Sequence, residues 1–217
     1  MLKTPATRLA LITLFAASPL CAQGTVPAGW MMRFDPTRAG RVAPAPTEAS
    51  MVAMGSGFHV TSGPMGAAIY YNPKEMGTGM YSASASFHQA KSMQHESYGI
   101  FIGGKNLQDS TQNYLYMVIR PMDGALAIGH RDSNGRPVYP VPMAVNAAVN
   151  KDSPTDGSAT NTLLIHVAKD TVHFLVNGKL VKAIAKSDLG GASTDGQAGI
   201  RVNHNISVHI DGWAVKK

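Results

Sequence analysis

The stretch from Asn161 to Ile184 constrains the fold of this chain more than any other part of the sequence. It reads NTLLIHVAKDTVHFLVNGKLVKAI, three short runs of alternating apolar residues separated by turn signals. Asn177 and Gly178 form one of these turns, because both residues tolerate the positive φ that a two-residue type I′ turn demands. The pattern therefore predicts an antiparallel β-meander.

The Asn177-Gly178 turn also predicts a strand register. Counting outward from the turn pairs Val176 with Lys179, Phe174 with Val181 and Val172 with Ala183 on one side, and Leu175 with Leu180 and His173 with Lys182 on the other. The side that carries Phe174 is the apolar one, so we expect it to face the core.

Short apolar runs bounded by Gly, Pro and Asp-Gly or Asn-Gly turns recur along the rest of the chain. Tyr81 to His88 alternates strictly, which predicts a half-buried strand. Ser97 to Gly103 and Asn113 to Arg120 are nearly continuous in apolar residues and predict central strands covered on both faces. Turns at intervals of roughly eight to twelve residues, without helical periodicity, predict an all-β sandwich of two antiparallel sheets.

Two interruptions carry further predictions. Gly212 breaks the phase of the last run, which predicts a β-bulge that turns Trp213 towards the core. The residues from Pro142 to Thr160 form a long irregular insert and are expected to be a surface loop.

Residues 1–22 have the features of a secretory signal peptide. Lys3 and Arg8 flank the start of a short apolar run from Leu9 to Ala17. The run is well below the roughly 20 residues that cross a bilayer, so we expect the segment to be removed and the protein to be exported to the periplasm or the extracellular space. Cys21 leaves lipid acylation as the alternative, although Leu20 stands where a small residue is expected.

Cleavage after residue 22 leaves a chain without cysteine, so the exported protein depends on its hydrophobic core and not on disulfides. Loss of Lys3 and Arg8 lowers the formal net charge from +6 to +4. The remaining cations are scattered, and no basic run alternates with aromatic residues, so nucleic acid is not an expected partner. Residues 23–50 form an N-terminal extension with a candidate first strand, and residues 51–217 form a single β-sandwich domain.

The candidate first strand covers Gly29 to Asp35 and contains Trp30. A tryptophan on this strand is a candidate stacking platform for a sugar. We interpret it instead as packing against the sheet, since a tryptophan near the start of a small domain is mostly buried.

Four segments of the chain resemble a known superfamily. SYGIFIGGKNL, YLYMVIRPMDGALAI, TLLIHVAKDTVHFLVNGKLV and GQAGIRVNHNISVHIDGWAV follow one another as in the concanavalin A-like lectin/glucanase jelly rolls, and within them look most like laminin-G-like and 3-keto-disaccharide hydrolase type domains. The resemblance covers about Phe58 to Val215 and is best at the V-x-F-x-V-N-G run from Val172 to Gly178. It implies two antiparallel sheets packed face to face, one of them concave, with loops over the concave side able to hold a glycan.

The resemblance also bears on catalysis. The glucanase branch carries a Glu-x-Asp-x-x-Glu strand, and this chain has none. The glutamates after the signal peptide are Glu48, Glu75 and Glu96, and none is paired with another acid at strand spacing, which argues against a retaining glycosidase. The sequence thus favours an exported carbohydrate-binding module without catalytic activity. The alternatives are a 3-keto-disaccharide hydrolase type enzyme that uses His209 and Asp211 as acid and base, and a structural or envelope interaction protein.

Five residues are the candidates for a glycan-binding surface, because they lie near loops that the resemblance places over the concave face. Tyrosine rings stack on sugar rings, and guanidinium groups donate forked hydrogen bonds to hydroxyls or carboxylates. The candidates are Tyr70, Tyr71, Arg120, His130 and Arg131.

No metal site or other cofactor is predicted. The histidines at 88, 166, 173 and 209 occupy polar positions of strands and would converge if those strands were neighbours, but no pair has a recognised zinc spacing. The oxygen-rich loops Asp132 to Gly135 and Asp152 to Gly157 leave Ca²⁺ as an alternative, although Asx turns explain both.

Overall fold

The computed structural model describes residues 25–35, 45, 49–64, 66–90, 96–132 and 137–217. The predicted signal peptide with Cys21, the residues Glu48 and His95, and the turn at Asn134-Gly135 fall outside these ranges, so what the sequence indicates for them stays a prediction. No helix in the described ranges has the length and apolar character needed to cross a membrane.

The regular elements of the described chain are β-strands, apart from the 3₁₀ turn Lys186–Asp188. The strands are β1 Met31–Phe34, β2 Ala49–Met54, β3 Gly57–Ser62, β4 Ala68–Gly77, β5 Tyr81–Gln89, β6 Tyr98–Lys105, β7 Asn113–Arg120, β8 Ala125–Arg131, β9 Val138–Val145, β10 Ala159–Val167, β11 Thr171–Val176, β12 Lys179–Ala185, β13 Gly196–Val202 and β14 Ser207–Lys216.

The strands form two sheets of seven strands each. The first sheet has the order β1-β4-β13-β6-β7-β8-β9, and the second has the order β12-β11-β10-β5-β14-β3-β2. Every strand pair is antiparallel. The main core cluster takes alternate residues from both sheets, which places it between them. The prediction of an all-β, two-sheet antiparallel jelly-roll sandwich is confirmed.

Strand β5 shows how the alternating sequence produces this core. Tyr81, Ala83, Ala85 and Phe87 are at most 2% exposed. The serines and His88 between them point to the opposite side, because successive side chains of a strand face opposite ways. The predicted half-buried strand is therefore confirmed, and its polar residues lie on the outer face of the second sheet.

Strands β6 and β7 are buried along nearly their whole length, as their continuous apolar sequences predict. The side chains of these strands that point away from the main core belong to a separate apolar cluster on the outer side of the first sheet, which includes Tyr71 and Leu107.

Leu107 lies in the loop after β6. The Gln108 amide donates to the Tyr71 hydroxyl at 2.9 Å, and Arg33 donates to the Leu107 carbonyl at 3.2 Å. This loop thus covers part of the outer face of the first sheet.

The hairpin at Asn177-Gly178 has the predicted turn but not the whole predicted register. Val176 pairs with Lys179 and Leu175 with Leu180, as expected. Beyond these pairs a one-residue bulge in β12 shifts the register, so that Phe174 pairs with Lys182, Val172 with Ile184 and His173 with Ala183. The bulge brings the larger apolar side chain of Ile184 to the core in place of Ala183. The predicted pairs Phe174–Val181, Val172–Ala183 and His173–Lys182 are therefore wrong, although Phe174 faces the core.

The insert predicted from Pro142 to Thr160 is shorter than expected. Strand β9 continues to Val145 through Pro140 and Pro142, and β10 begins at Ala159. Prolines are tolerated here because β9 is an edge strand of the first sheet, where one side of the backbone has no partner strand. The irregular loop consists of residues 146–158.

The bulge predicted at Gly212 is present. Gly212 has a φ of 62°, and the pairing of β14 with β5 shifts between Asp211 and Ala214. Trp213 packs against the core and lies 6.5 Å from Trp30, measured between ring centroids. Its indole N–H donates to Glu75. Trp30 is 9% exposed, which confirms that it packs against the sheet.

Candidate functional site

The outer face of the second sheet carries polar and apolar side chains on neighbouring strands. The strand register places outward-facing residues in rows that run across the sheet. One row, which we call the basic row, joins Lys216, Ser82, His166 and His173 through neighbouring strands. The next, the leucine row, joins Ser84, Leu164, Leu175 and Leu180.

These two rows line a pair of adjoining depressions. One has a volume of about 450 Å³ and is lined by Ser82, Leu164, His166, His173, Leu175 and Leu180. The other has a volume of about 560 Å³ and shares Ser82, Leu164 and His166 with the first. We call the combined depression the leucine trough. Its floor is apolar and its edge carries hydroxyl and imidazole groups, a combination typical of ligand sites.

The imidazoles of the leucine trough are held in place by their neighbours. His166 and His173 pair across β10 and β11 and stack with 5.8 Å between ring centroids. The Nδ1 atom of His166 lies 2.9 Å from the Ser82 hydroxyl. This hydrogen bond leaves Nε2 of His166 as the ring nitrogen available to a ligand.

A second row of imidazoles lies further along the same face. His59, His209 and His88 are register partners across β3, β14 and β5. The carboxylate of Asp211 contacts two of them, with its Oδ2 atom 3.2 Å from Nε2 of His209 and 3.5 Å from Nε2 of His88. Ser56 donates to the other oxygen of Asp211 at 3.1 Å. We call this group the histidine row.

The four strand histidines that the sequence analysis singled out therefore form two pairs. His88 lies beside His209, and His166 lies beside His173. No set of three or more His, Cys, Asp or Glu side chains in the described ranges is arranged to hold a metal ion. In the loop from Asp152 to Gly157, one of the two considered for Ca²⁺, both aspartates accept hydrogen bonds within the protein. The Asp152 carboxylate accepts from the Gln89 amide at 3.0 Å, and the Asp156 carboxylate accepts from the Ser158 hydroxyl.

The outer face of the first sheet carries a buried ionic cluster. Asp35 accepts from Arg201 at 2.9 Å, and the Arg131 guanidinium lies 3.1 Å from the same oxygen. The Tyr114 hydroxyl donates to the other oxygen at 2.5 Å. The Arg201 guanidinium also lies 4.4 Å from the centroid of the Tyr116 ring. We call these residues the Asp35 cluster.

Burial shapes the electrostatics of the Asp35 cluster. Asp35, Arg131 and Arg201 are each less than a tenth exposed. Burial raises the pKa of Tyr114, and the charge of Asp35 raises it further. Burial alone would lower the pKa of Arg201, but Tyr114 and Asp35 raise it. The tyrosine is therefore protonated and the arginine charged, which suits them as donors to Asp35.

The structure does not bring the five predicted glycan-binding residues together. Tyr70 is buried between the sheets, and Tyr71 is buried beneath the loop after β6. His130 is buried with its Nε2 atom 3.1 Å from Asn113, and Arg131 belongs to the Asp35 cluster. Arg120 is partly exposed and paired with Asp123 at 2.6 Å. Their role in ligand binding stays a prediction.

Sequence reasoning missed the floor of the leucine trough. Leu164, Leu175 and Leu180 occupy strand positions whose neighbours in phase are polar, and apolar residues in a polar phase are a signal for an exposed apolar surface. It also missed Asp35 and Arg201 as a pair, because 166 residues separate them in the chain.

Within the described ranges, no aspartate or glutamate lines the leucine trough. Elsewhere in the described chain, Glu75 accepts from the indole of Trp213, and Glu96 contacts His204 at 2.6 Å. Burial raises the pKa of Glu96, and the contact with His204 opposes this shift.

No protein-family model matches the sequence, and no curated protein matches it. Solved structures do resemble it. The carbohydrate binding module CBM66 from Bacillus subtilis superposes with a TM-score of 0.62 at 8% identity, over 89% of this chain and 99% of that one. A Bacillus subtilis protein of unknown function with a galectin-like fold gives 0.60 at 12% identity, over 86% and 88%. A Bacteroides ovatus mixed linkage glucan GH16 protein in complex with a product gives 0.57 at 11% identity, over 86% and 93%.

Identities this low establish the fold and not the activity. The two seven-stranded antiparallel sheets of this chain and its near-complete coverage of these structures establish its fold. This chain has the concanavalin A-like jelly-roll fold.

Proposed function

We propose that the protein is a carbohydrate-binding module without catalytic activity, and that its ligand lies along the leucine trough. The observation that carries the proposal is the trough itself, an open depression with a leucine floor and a hydroxyl and imidazole edge. Apolar C–H faces of a sugar pack against leucine side chains, while sugar hydroxyls exchange hydrogen bonds with serine and histidine.

Two further facts support binding over hydrolysis. Glycosidases of the common retaining and inverting types need two side-chain carboxyl groups on either side of the scissile bond, and no aspartate or glutamate of the described ranges lines the trough. The resemblance in fold to a carbohydrate binding module is consistent with a sugar ligand. We also propose that the protein meets this ligand after export, as the N-terminal sequence predicts.

Leucine-to-alanine changes in the trough test this proposal. We expect the double variant Leu164→Ala, Leu175→Ala to bind its polysaccharide at least about tenfold more weakly, because loss of apolar contact worth roughly 1.4 kcal/mol changes a dissociation constant tenfold. Isothermal titration with a panel of soluble plant and cell-wall polysaccharides measures the effect.

The matched control is Val52→Ala, which removes an exposed apolar side chain from edge strand β2 of the same sheet, outside the trough. It is expected to bind as the parent protein does. Absence of binding across the whole panel, or equal affinity of the double variant and the parent, would overturn the proposal.

The histidine row favours one other candidate function. Asp211 contacts both His209 and His88, and a carboxylate that orients an imidazole is a common arrangement in general acid–base catalysis. In that case the protein would be a carbohydrate-active hydrolase. Chromatography of products from keto-disaccharides and polysaccharides decides the question: hydrolysis that Asp211→Asn abolishes would establish the enzyme, and we expect no hydrolysis by the parent protein.

A further inference from the structure

We propose that the ligand of the leucine trough is an acidic polysaccharide, one whose sugars carry carboxylate groups. This inference rests on the proposed function and names the class of carbohydrate. It follows from the charge of the trough, from the spacing of its basic row, and from the absence of features that other polyanions require.

Within the described ranges, the side chains that line the trough and can carry a positive charge are Lys216, Lys217, His166 and His173. No aspartate or glutamate of these ranges lines either depression. Asp211 lies on the same face but is in contact with His209 and His88. A surface of one sign favours ligands of the opposite sign and rejects like charges.

The basic row has a repeat that suits a linear polymer. Lys216, Ser82, His166 and His173 are consecutive register partners on β14, β5, β10 and β11. Neighbouring strands are about 4.8 Å apart, so the row extends over roughly 14 Å across the sheet. Beside it runs the leucine row, which provides an apolar strip parallel to the charged one. A chain with carboxylates along one edge and C–H faces along the other matches both rows.

Nucleic acid fits the same surface less well. Single-stranded nucleic acid is bound by aromatic platforms, and among the described residues the one aromatic ring in the trough besides the imidazoles is that of Tyr81, which is 2% exposed. Its phosphates also require a track of Lys and Arg, whereas the basic row contains one lysine. Carboxylates with hydroxyls between them need fewer cations and more hydrogen-bonding partners, which Ser82 and the imidazoles provide.

The experiment compares polygalacturonate with the same polymer after methyl esterification, which removes the carboxylate charge and keeps the sugar backbone. We expect polygalacturonate to bind at least tenfold more tightly at low salt, and this advantage to shrink as sodium chloride is raised, because salt screens the attraction. We expect Lys216→Gln to weaken binding of polygalacturonate by about threefold or more and to weaken binding of the ester by a smaller factor. Lys151→Gln, an exposed lysine in the loop before β10, is the control and is expected to change neither.

The outcomes separate this inference from the proposed function. Equal binding of polygalacturonate, its ester and a neutral glucan would overturn the acidic ligand and leave the carbohydrate-binding function intact. Failure to bind any polysaccharide would overturn both. Tighter binding of single-stranded oligothymidylate than of polygalacturonate would overturn the carbohydrate in favour of nucleic acid.

Discussion

Replacing Asp35 with asparagine is expected to lower the free energy of unfolding by about 3–5 kcal/mol. The change keeps the shape of the side chain but removes the charge to which Arg201 and Arg131 are paired, at 2.9 and 3.1 Å. Both guanidinium groups are less than a tenth exposed, so water cannot replace the carboxylate. Removing one partner of a buried ion pair has this cost because a buried charge is left uncompensated.

Urea denaturation of the parent protein and the variant measures the effect. The matched control is Asp123→Asn, which breaks the ion pair with Arg120 at 2.6 Å in a turn where about a third of each side chain is exposed. Exposed pairs of this kind contribute about 0.2–1 kcal/mol. A loss at Asp35 no greater than that at Asp123 would contradict the view that the Asp35 cluster stabilises the fold.

The triple variant Asp35→Leu, Arg131→Met, Arg201→Met tests whether the Asp35 cluster only stabilises the fold or also takes part in ligand binding. Replacing a whole buried ion pair by apolar residues is often neutral or stabilising, whereas breaking it is not. If the variant folds and still binds polysaccharide, the cluster acts only in stability, and the leucine trough alone accounts for binding.

Much of this fold could be predicted because its signals are local. Strand β5 alternates between core and surface residues, and Asn177-Gly178 specifies its own turn, with φ values of 52° and 76°. Gly212 marks its bulge in the same way, since its positive φ needs no distant partner. Each prediction depends on a few consecutive residues, and each is confirmed.

The errors arise where the structure depends on distant parts of the chain. The bulge in β12 falls at Val181 and Lys182, where no glycine indicates a bulge in the sequence. It is favoured because it places the Ile184 side chain in the core. Strand β9 runs through Pro140 and Pro142 because it lies at a sheet edge, and edge position is a property of the whole sheet.

The neighbours of the candidate site residues could not be predicted for the same reason. Strand phase indicates that His88 and His209 face outward, but only the order of strands in the sheet makes them neighbours. The sequence does not reveal that Arg131 pairs with Asp35. Nor does it reveal that the loop after β6 covers the ring of Tyr71. Sequence gives the direction of a side chain more readily than its neighbours.

Strand β11 permits a direct test of the alternation on which the fold depends. Phe174 and Leu175 are consecutive and both apolar, but Phe174 is fully buried between the sheets while Leu175 lies on the outer face in the leucine trough. We expect Phe174→Ala to lower the free energy of unfolding by about 3–5 kcal/mol, through lost burial and the cavity left in a close-packed core.

Leu175→Ala is the matched control, because it shortens the next side chain of the same strand. Its cost is expected to be about 1 kcal/mol or less, since a half-buried leucine loses only part of its transfer free energy and leaves no cavity. The two variants are also expected to differ in their effect on binding. Leu175→Ala weakens polysaccharide binding with little loss of stability, whereas Phe174→Ala lowers the urea midpoint while the protein that remains folded binds normally. Equal losses of stability in the two variants would mean that both sides of β11 are packed alike, and the open trough would not exist.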